Sequence, residues 1–230
     1  MGKSIAIIPA RGGSKRIPQK NIRDFCGKPI ISYAIDTAKS CGFFDEVMVS
    51  TDSEEIAKIA RKYGAEVPFM RSEATAGDHA TTEDVLLEVL DEYKKRGEEF
   101  SYLTCIYATA ALIDPETMAE ALKIMEEKEP AVVIPLIQYS YPPQRCFVIR
   151  EDGSAAYKNP EYTRTRSQDL EPLYHDAGQF YVYNVRKLIE RKGTIDDDYY
   201  PIIISEMDAQ DIDNLSDWEM AEMKYRIKNR

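Results

Sequence analysis

The sequence predicts an α/β fold with a doubly wound, mostly parallel sheet, and three observations predict it. Short apolar runs alternate with amphipathic stretches of about ten to fifteen residues, the pattern of βαβ units. The chain has 230 residues, 43% of them hydrophobic, which suits one large domain with a substantial core. Where the apolar runs end, the residues turn polar or small: Arg11, Ser50-Thr51-Asp52, Arg71, Tyr107-Ala108-Thr109 and Gln138. Ligands of open α/β sheets bind beyond the carboxyl ends of strands, so this change of character marks a cleft.

The elements follow in order. Ser4 to Ile8 is short and rich in Ile, a buried strand. Gly27-Lys28-Pro29 is a turn, Ile30 to Ser40 has helical spacing, and Gly42 stops it. Glu46 to Ser50 is the second strand. Ser53 then caps a helix with Glu54 and Glu55 in its first turn, and Gly64 closes it. Glu66 to Phe69 is the predicted third strand, followed by a loop to Asp78. Thr82 to Tyr93 carries Val85, Leu86, Val89 and Leu90 on one helical face. Tyr102 to Tyr107 is a strand, Asp114-Pro115-Glu116 opens a helix, and Ala131 to Leu136 is a strand. Gln179 to Tyr183 returns to the sheet, Val185 to Glu190 is a short helix, and Pro201 to Ser205 is a strand. Ser216-Asp217-Trp218-Glu219 has capping-box spacing and starts the last helix.

From Gln138 to Gly178 the alternation breaks. Phe147-Val148-Ile149 and Ala155-Ala156-Tyr157 flank Glu151-Asp152-Gly153-Ser154, a hairpin signal. Residues 138–178 therefore read as a small inserted subdomain within a single domain of residues 1–230. Its aromatics (Tyr139, Tyr141, Phe147, Tyr157, Tyr162) favour packing against something over a free excursion.

Bulk properties limit the partners. The net charge of −10 argues against non-specific nucleic-acid binding. No apolar run approaches the ~20 residues of a membrane span, and a strand begins almost at once, so neither a membrane nor a signal peptide is expected. Cys26, Cys41, Cys105 and Cys146 are scattered and read as reduced thiols of a cytoplasmic protein.

Against that acidic background, Arg11, Lys15, Arg16 and Lys20 fall within ten residues after the first strand. Gly12 and Gly13 suit positive φ and the close approach of bare N–H groups to a ligand. Neither Walker nor dinucleotide-fingerprint spacing is present. A cation cluster on a glycine turn suits a polyphosphate, although solvated surface cations are the commoner use of Lys and Arg.

Pro9-Ala10-Arg11-Gly12-Gly13-Ser14-Lys15, followed by Lys20-Asn21, resembles the signature of the acylneuraminate cytidylyltransferases, enzymes that join CMP to nine-carbon sialic-type sugars. The resemblance covers nearly the whole chain. It implies a Rossmann-like nucleotidyltransferase fold, CTP as one substrate, a nonulosonic acid as the other, and Mg²⁺ as cofactor. Arg166-Ser167-Gln168-Asp169-Leu170 and Tyr174-His175-Asp176-Ala177-Gly178-Gln179-Phe180-Tyr181 look most like the pseudaminic acid branch. N-acetylneuraminate and legionaminate enzymes are the alternatives, and a nucleotide-binding sensor is the non-enzymatic one. The family's Q-P-T-S-P segment reads Tyr107-Ala108-Thr109-Ala110-Ala111 here, so only the threonine carries over.

Nucleotidyl transfer needs charge neutralisation, a metal clamp and an aligned acceptor. Arg11, Lys15 and Lys20, with backbone N–H groups of Gly12, Gly13 and Ser14, meet the first need, with Arg11 and Lys20 as the catalytic candidates. By resemblance, Asp211 and Asp213 hold the metal, although acids before a helix also serve as caps. Asn21 and Ser14 match ribose or phosphate contacts. Arg71, Asp78, Thr81 and Thr82 match the base-recognition stretch, with the two threonines fitting a helix N-cap equally well. Arg164 and Arg166 suit a bidentate grip on the sugar carboxylate. Gln168, His175 and Gln179 belong to the sugar-side segment, and Tyr199-Tyr200 match an aromatic pair near the sugar or fit as strand-edge packing. The family also uses the inserted region to form a homodimer and to reach into the neighbouring site.

Overall fold

A computed structural model describes residues 2–77 and 79–230. The strands are β1 (Ser4–Pro9), β2 (Asp24–Phe25), β3 (Lys28–Pro29), β4 (Glu46–Ser50), β5 (Tyr102–Ile106), β6 (Val132–Gln138), β7 (Phe147–Ile149), β8 (Ala155–Tyr157), β9 (Tyr174–Asp176), β10 (Phe180–Asn184) and β11 (Tyr199–Ile203). The helices are α1 (Ile31–Ser40), α2 (Glu54–Lys62), α3 (Glu73–Ala76), α4 (Thr82–Lys95), α5 (Pro115–Lys128), α6 (Val185–Glu190) and α7 (Leu215–Lys228). The main sheet runs β11-β6-β10-β5-β1-β4, with β9 also beside β6. β1 is parallel to β4 and β5, and β11 is parallel to β6.

The exception to parallel order has a topological cause. β6 ends at the carboxyl edge, and the chain returns from the 138–178 excursion at that same edge. No crossover intervenes, so β9 and β10 must run antiparallel to β6. β10 therefore sits antiparallel between β5 and β6 in the middle of the sheet.

Both faces of the sheet are covered. Ile8, Val49, Val133 and Val182 pack under α1, α2 and α5, whereas Ile5, Ile7, Leu103 and Val132 pack under α4 and α6. This alternation along each strand is the period of two that puts successive side chains on opposite faces. A third cluster joins Ile17, Phe25, Ile30 and Tyr33 to Ile212, Trp218 and Ala221 of the C-terminal region.

Most boundaries move by a residue or two, and three departures from the sequence expectation have a traceable cause. The third strand, Glu66 to Phe69, shrinks to one bridge between Met48 and Glu66. Pro68 follows two residues later, and it lacks the N–H that a further ladder bond needs. The last strand begins at Tyr199, two residues early, because β11 is an edge strand where Pro201 is tolerated. The C-terminal capping box is also shifted: Asn214 accepts from the Ser216 and Asp217 N–H groups, while Asp217 accepts from Asn214 N at 2.9 Å. Ser216 lies inside the helix. The acidic run of Asp196 to Asp198 is partly tied down, with Lys187 2.7 Å from Asp198 and Arg191 paired to Asp197.

Within 138–178, β7 and β8 form a separate two-stranded sheet as expected. Its apolar residues are open: Tyr141 is 86% exposed and Ile149 73%.

Candidate functional site

At the carboxyl ends of β1 and β5 lies a cleft of about 360 Å³. The loop after β1 forms one wall, and its shape follows from a few anchors. Ala10 N donates to Ser50 O at 2.9 Å, holding the strand end beside β4. Ile17 is 1% exposed in the third core cluster, so the middle of the loop is pinned downward. The Asn21 side-chain amide then reaches back to Arg11 O at 3.0 Å and closes the loop. Arg11, Ser14, Lys15, Arg16, Lys20 and Asn21 consequently share the cleft wall.

The glycines act differently from expectation. Neither Gly12 nor Gly13 has positive φ; the left-handed residue of this loop is Gln19, at φ 53°. Gly12 N donates to Asp52 Oδ1 at 2.8 Å, and a Cβ there would come within 3.1 Å of Ser53 Cβ. Gly12 thus sits in close packing on the turn before α2, where a side chain would press on Ser53. A Cβ on Gly13 would meet nothing within 4 Å, so the backbone there is open to a ligand.

Ile17 and Ile212 share one cluster, and this brings the two ends of the chain together. Lys20 Nζ donates to Ile212 O at 2.7 Å. Ile212 is 1% exposed, whereas Asp211 beside it is exposed and Asp213 is half-buried. Asp211 lines the cleft, and Asp213 pairs with Arg16 at 2.7 Å. Burial lowers the Lys20 ammonium below its ordinary value, while the charges of Asp213 and Asp211 oppose the shift. Burial likewise pushes the Asp211 carboxyl up, and the like charge of Asp213 adds to it. Helix capping does not account for the pair, because Asn214 and Asp217 cap α7.

The opposite wall carries Arg71, Thr81 and Thr82. Arg71 is 9% exposed, and its guanidinium donates to Ser50 Oγ at 3.1 Å and Ser50 O at 2.6 Å. Thr81 is the N-cap of α4 in a capping box with Asp84, and it also faces the cleft. Thr82 Oγ1 lies 3.5 Å from the Tyr107 hydroxyl. Asp78 lies outside the described residues.

Tyr107 is the partition between this cleft and a second cavity of about 280 Å³. The second cavity is lined by Tyr181, Tyr183 and Tyr199 with the carboxylates of Glu83 and Asp176. Tyr181 OH donates to Asp176 Oδ2 at 2.7 Å, and Tyr183 OH to Glu83 Oε1 at 3.4 Å. Burial, the adjacent Tyr107 and the bond to Asp176 push the Tyr181 phenol far up, so it stays protonated. Of these residues only Tyr199 is a sugar-contact candidate in sequence, while Tyr107 reads as a strand end and Asp176 and Tyr181 fall within the pseudaminic-like segment. The available signals were Tyr107 at a strand end and the i, i+2 spacing of Tyr181 and Tyr183.

The other sugar-side candidates are placed elsewhere. Gln179 is 2% exposed and donates to Asp208 O at 2.8 Å, so it straps β10 to the segment after β11 and does not face either cavity. The His175 ring packs on Tyr139, with centroids 4.8 Å apart. Tyr200 points to the face of β11 opposite Tyr199. Arg164, Arg166 and Gln168 are exposed on the excursion and line neither cavity.

A family model described as cytidylyltransferase matches residues 5–211. A pseudaminic acid cytidylyltransferase of Campylobacter jejuni is 35% identical over 99% of this chain and 98% of its own length. A CMP-N,N'-diacetyllegionaminic acid synthase of Legionella pneumophila is 32% identical over 95% of this chain and 94% of its own length. Among solved structures, a CMP:2-keto-3-deoxy-manno-octonic acid synthetase superposes with a TM-score of 0.73 over 98% of this chain and 99% of that one, at 19% identity. That likeness concerns the fold. With the family model spanning the sheet from β1 to Asp211, the chain belongs to the cytidylyltransferases, nucleotidyltransferase enzymes that use CTP.

Proposed function

We propose that the chain transfers CMP from CTP to a nonulosonic acid, pseudaminic acid in particular, and releases pyrophosphate. The observation that carries this reading is the meeting of a cationic loop with Asp211 in the cleft wall and Asp213 paired to Arg16, in a chain whose full-length relatives act on such sugars. In this reading Arg11, Lys15 and the N–H groups of Gly12 to Ser14 bind the triphosphate. Lys20 faces the α-phosphate and the leaving pyrophosphate, and Arg71, Thr81 and Thr82 border the nucleoside. The anomeric oxygen forms the new bond to the α-phosphorus as the α–β phosphoanhydride bond breaks. Its proton leaves toward the substrate's own carboxylate.

The donor set at Asp211 and Asp213 fits Mg²⁺ in kind: two hard oxygen donors lie near enough to Lys20 and to each other for their charges to interact. Among the described residues no group of three or more His, Cys, Asp or Glu could hold an ion by itself. Triphosphate oxygens and water must complete the octahedral set, so the ion would arrive with the nucleotide. When bound, Mg²⁺ supplies charge neutralisation at the phosphates.

The tyrosine-lined cavity beyond Tyr107 takes the sugar's acylamino-bearing arm. Glu83 and Asp176 accept hydrogen bonds and repel carboxylate, and among the described residues no cation lines that space. The sugar carboxylate therefore lies on the cationic side. Pyrophosphate release from CTP with a panel of pseudaminic, legionaminic and N-acetylneuraminic acids tests the assignment. Turnover highest with legionaminic acid would move the specificity, and none with any of the three would refute it. The reading places the enzyme in the cytoplasm, where CTP is made.

Residues 138–178 form the homodimer contact in this reading. Phe147, Val148 and Ile149 are exposed on an isolated hairpin, which is marginal in water without further packing. Arg164 and Arg166, outside this chain's own cavities, would then serve the neighbouring site. Light scattering at micromolar concentration should give twice the chain mass, and Ile149→Asp should shift it toward one. A fully active wild-type monomer would refute the dimer.

A further inference from the structure

The wall of the cleft from Ser72 to Gly77 has no core beneath it. None of the four residues of α3 is buried, and a single helical turn is unstable by itself. Among the described residues, the side-chain hydrogen bonds that reach it are made with one carboxylate on the neighbouring helix. Glu88 Oε1 accepts from Ser72 N at 2.8 Å, and Oε2 accepts from Ser72 Oγ at 3.0 Å and also from Thr75 Oγ1. Ser72 occupies the N-cap position of α3 yet makes no side-chain cap bond, because its hydroxyl is turned to Glu88. Thr75 and Gly77 face the cleft from this segment, and Arg71 precedes it. Glu88 itself stands one turn beyond Val85, which lines the same cleft.

We propose that Glu88 is a positioning residue that holds Ser72 to Gly77 in its nucleotide-ready shape. It touches neither cavity, so it acts through Ser72 and Thr75. The inference rests on the reading of this cleft as the nucleotide site. Burial raises the Glu88 carboxyl, but the bonds from Thr75 and Ser72 outweigh it and keep the group ionised as an acceptor for all three donors. A segment that is ordered only part of the time binds its ligand more weakly by the ordered fraction. The loss should therefore appear in CTP affinity and not in the chemical step.

Three variants test this: Glu88→Ala, Glu88→Gln and Ser72→Ala. CTP binding by calorimetry without sugar, steady-state kinetics, and hydrogen exchange of residues 72–77 are compared. Glu88→Ala should weaken CTP roughly tenfold, as expected if the ordered fraction falls to about a tenth. Its kcat and its KM for the sugar should stay within about threefold of wild type. Exchange should quicken in residues 72–77. Glu88→Gln, which keeps the shape and can reverse the hydroxyl bonds, should recover most of the affinity, and Ser72→Ala should lose part of it. Wild-type CTP affinity in Glu88→Ala, or a Gln variant as weak as Ala, overturns the proposal. If Glu88→Ala does not fold, the Gln and Ser72→Ala variants decide it in the same way. If the wild-type protein fails to bind CTP, the functional reading falls, while exchange in the ligand-free proteins still judges the strap.

Discussion

Lys20→Ala should lower kcat for CMP transfer by about 10²- to 10³-fold, the usual effect of removing one preorganised charge from a transition state. Lys20 is held in place by Ile212 O, and that bond aims it at the same cleft as Arg11 and Arg71. Its ammonium is partly desolvated, so its charge acts in a medium less polar than water. The fold should survive, because the variant removes an incompletely solvated charge and leaves Ile17 and Ile212 packed. Melting temperature should change little. Lys20→Arg should not restore full rate, since the guanidinium is larger and planar where the loop is closed around an ammonium. A Lys20→Ala enzyme with near-normal kcat/KM would remove the anchor of the proposed mechanism.

Asp211→Asn and Asp213→Asn should each lose roughly 100-fold or more in activity, with partial recovery as Mg²⁺ is raised. Asn keeps the shape of either side chain but withdraws a negative oxygen donor from the cation. Stability separates this from a structural role. Asn214 and Asp217 cap α7, so neither substitution disturbs a cap. The Arg16–Asp213 pair is solvent-exposed, 69% and 43% on its two sides, and such pairs contribute little. In Asp211→Asn the carboxyl that burial and Asp213 disfavour is gone, so stability should hold or rise slightly. Activity assays across Mg²⁺ concentration, beside thermal melts, check both parts. Wild-type activity with unchanged Mg²⁺ dependence in either variant would exclude that residue as a ligand.

Much of this architecture was legible in the chain itself because the information is local. β4, the β7–β8 hairpin and α6 begin and end where their patterns predict. Ser53 caps α2 as its type and position require, accepting from Ile56 N. The cation cluster after β1 was visible as residue types at fixed spacing, whereas the doublet at Asp211 and Asp213 stood out only through resemblance to the family. Each depends on neighbours within a few positions, and a linear reading sees those.

What tertiary structure decided depends on residues far apart in the chain. The excursion returns the chain to the edge it left, which makes β10 antiparallel; no property of Phe180–Asn184 alone encodes that direction. Ile17 and Ile212 share a cluster across nearly the whole sequence, and that cluster, with the Lys20 bond to Ile212 O and the Arg16–Asp213 pair, turns two separate charged motifs into one site. The roles of Gly12 and Gly13 divide because Ser53 stands behind one and open space behind the other. Tyr107, Tyr181, Glu83 and Asp176 carry no linear signature as a group, since three different segments supply them to one cavity. Gln179 read as a ligand-facing amide in sequence, but the carbonyl of Asp208 had already claimed it, because a buried amide must find a partner inside the protein.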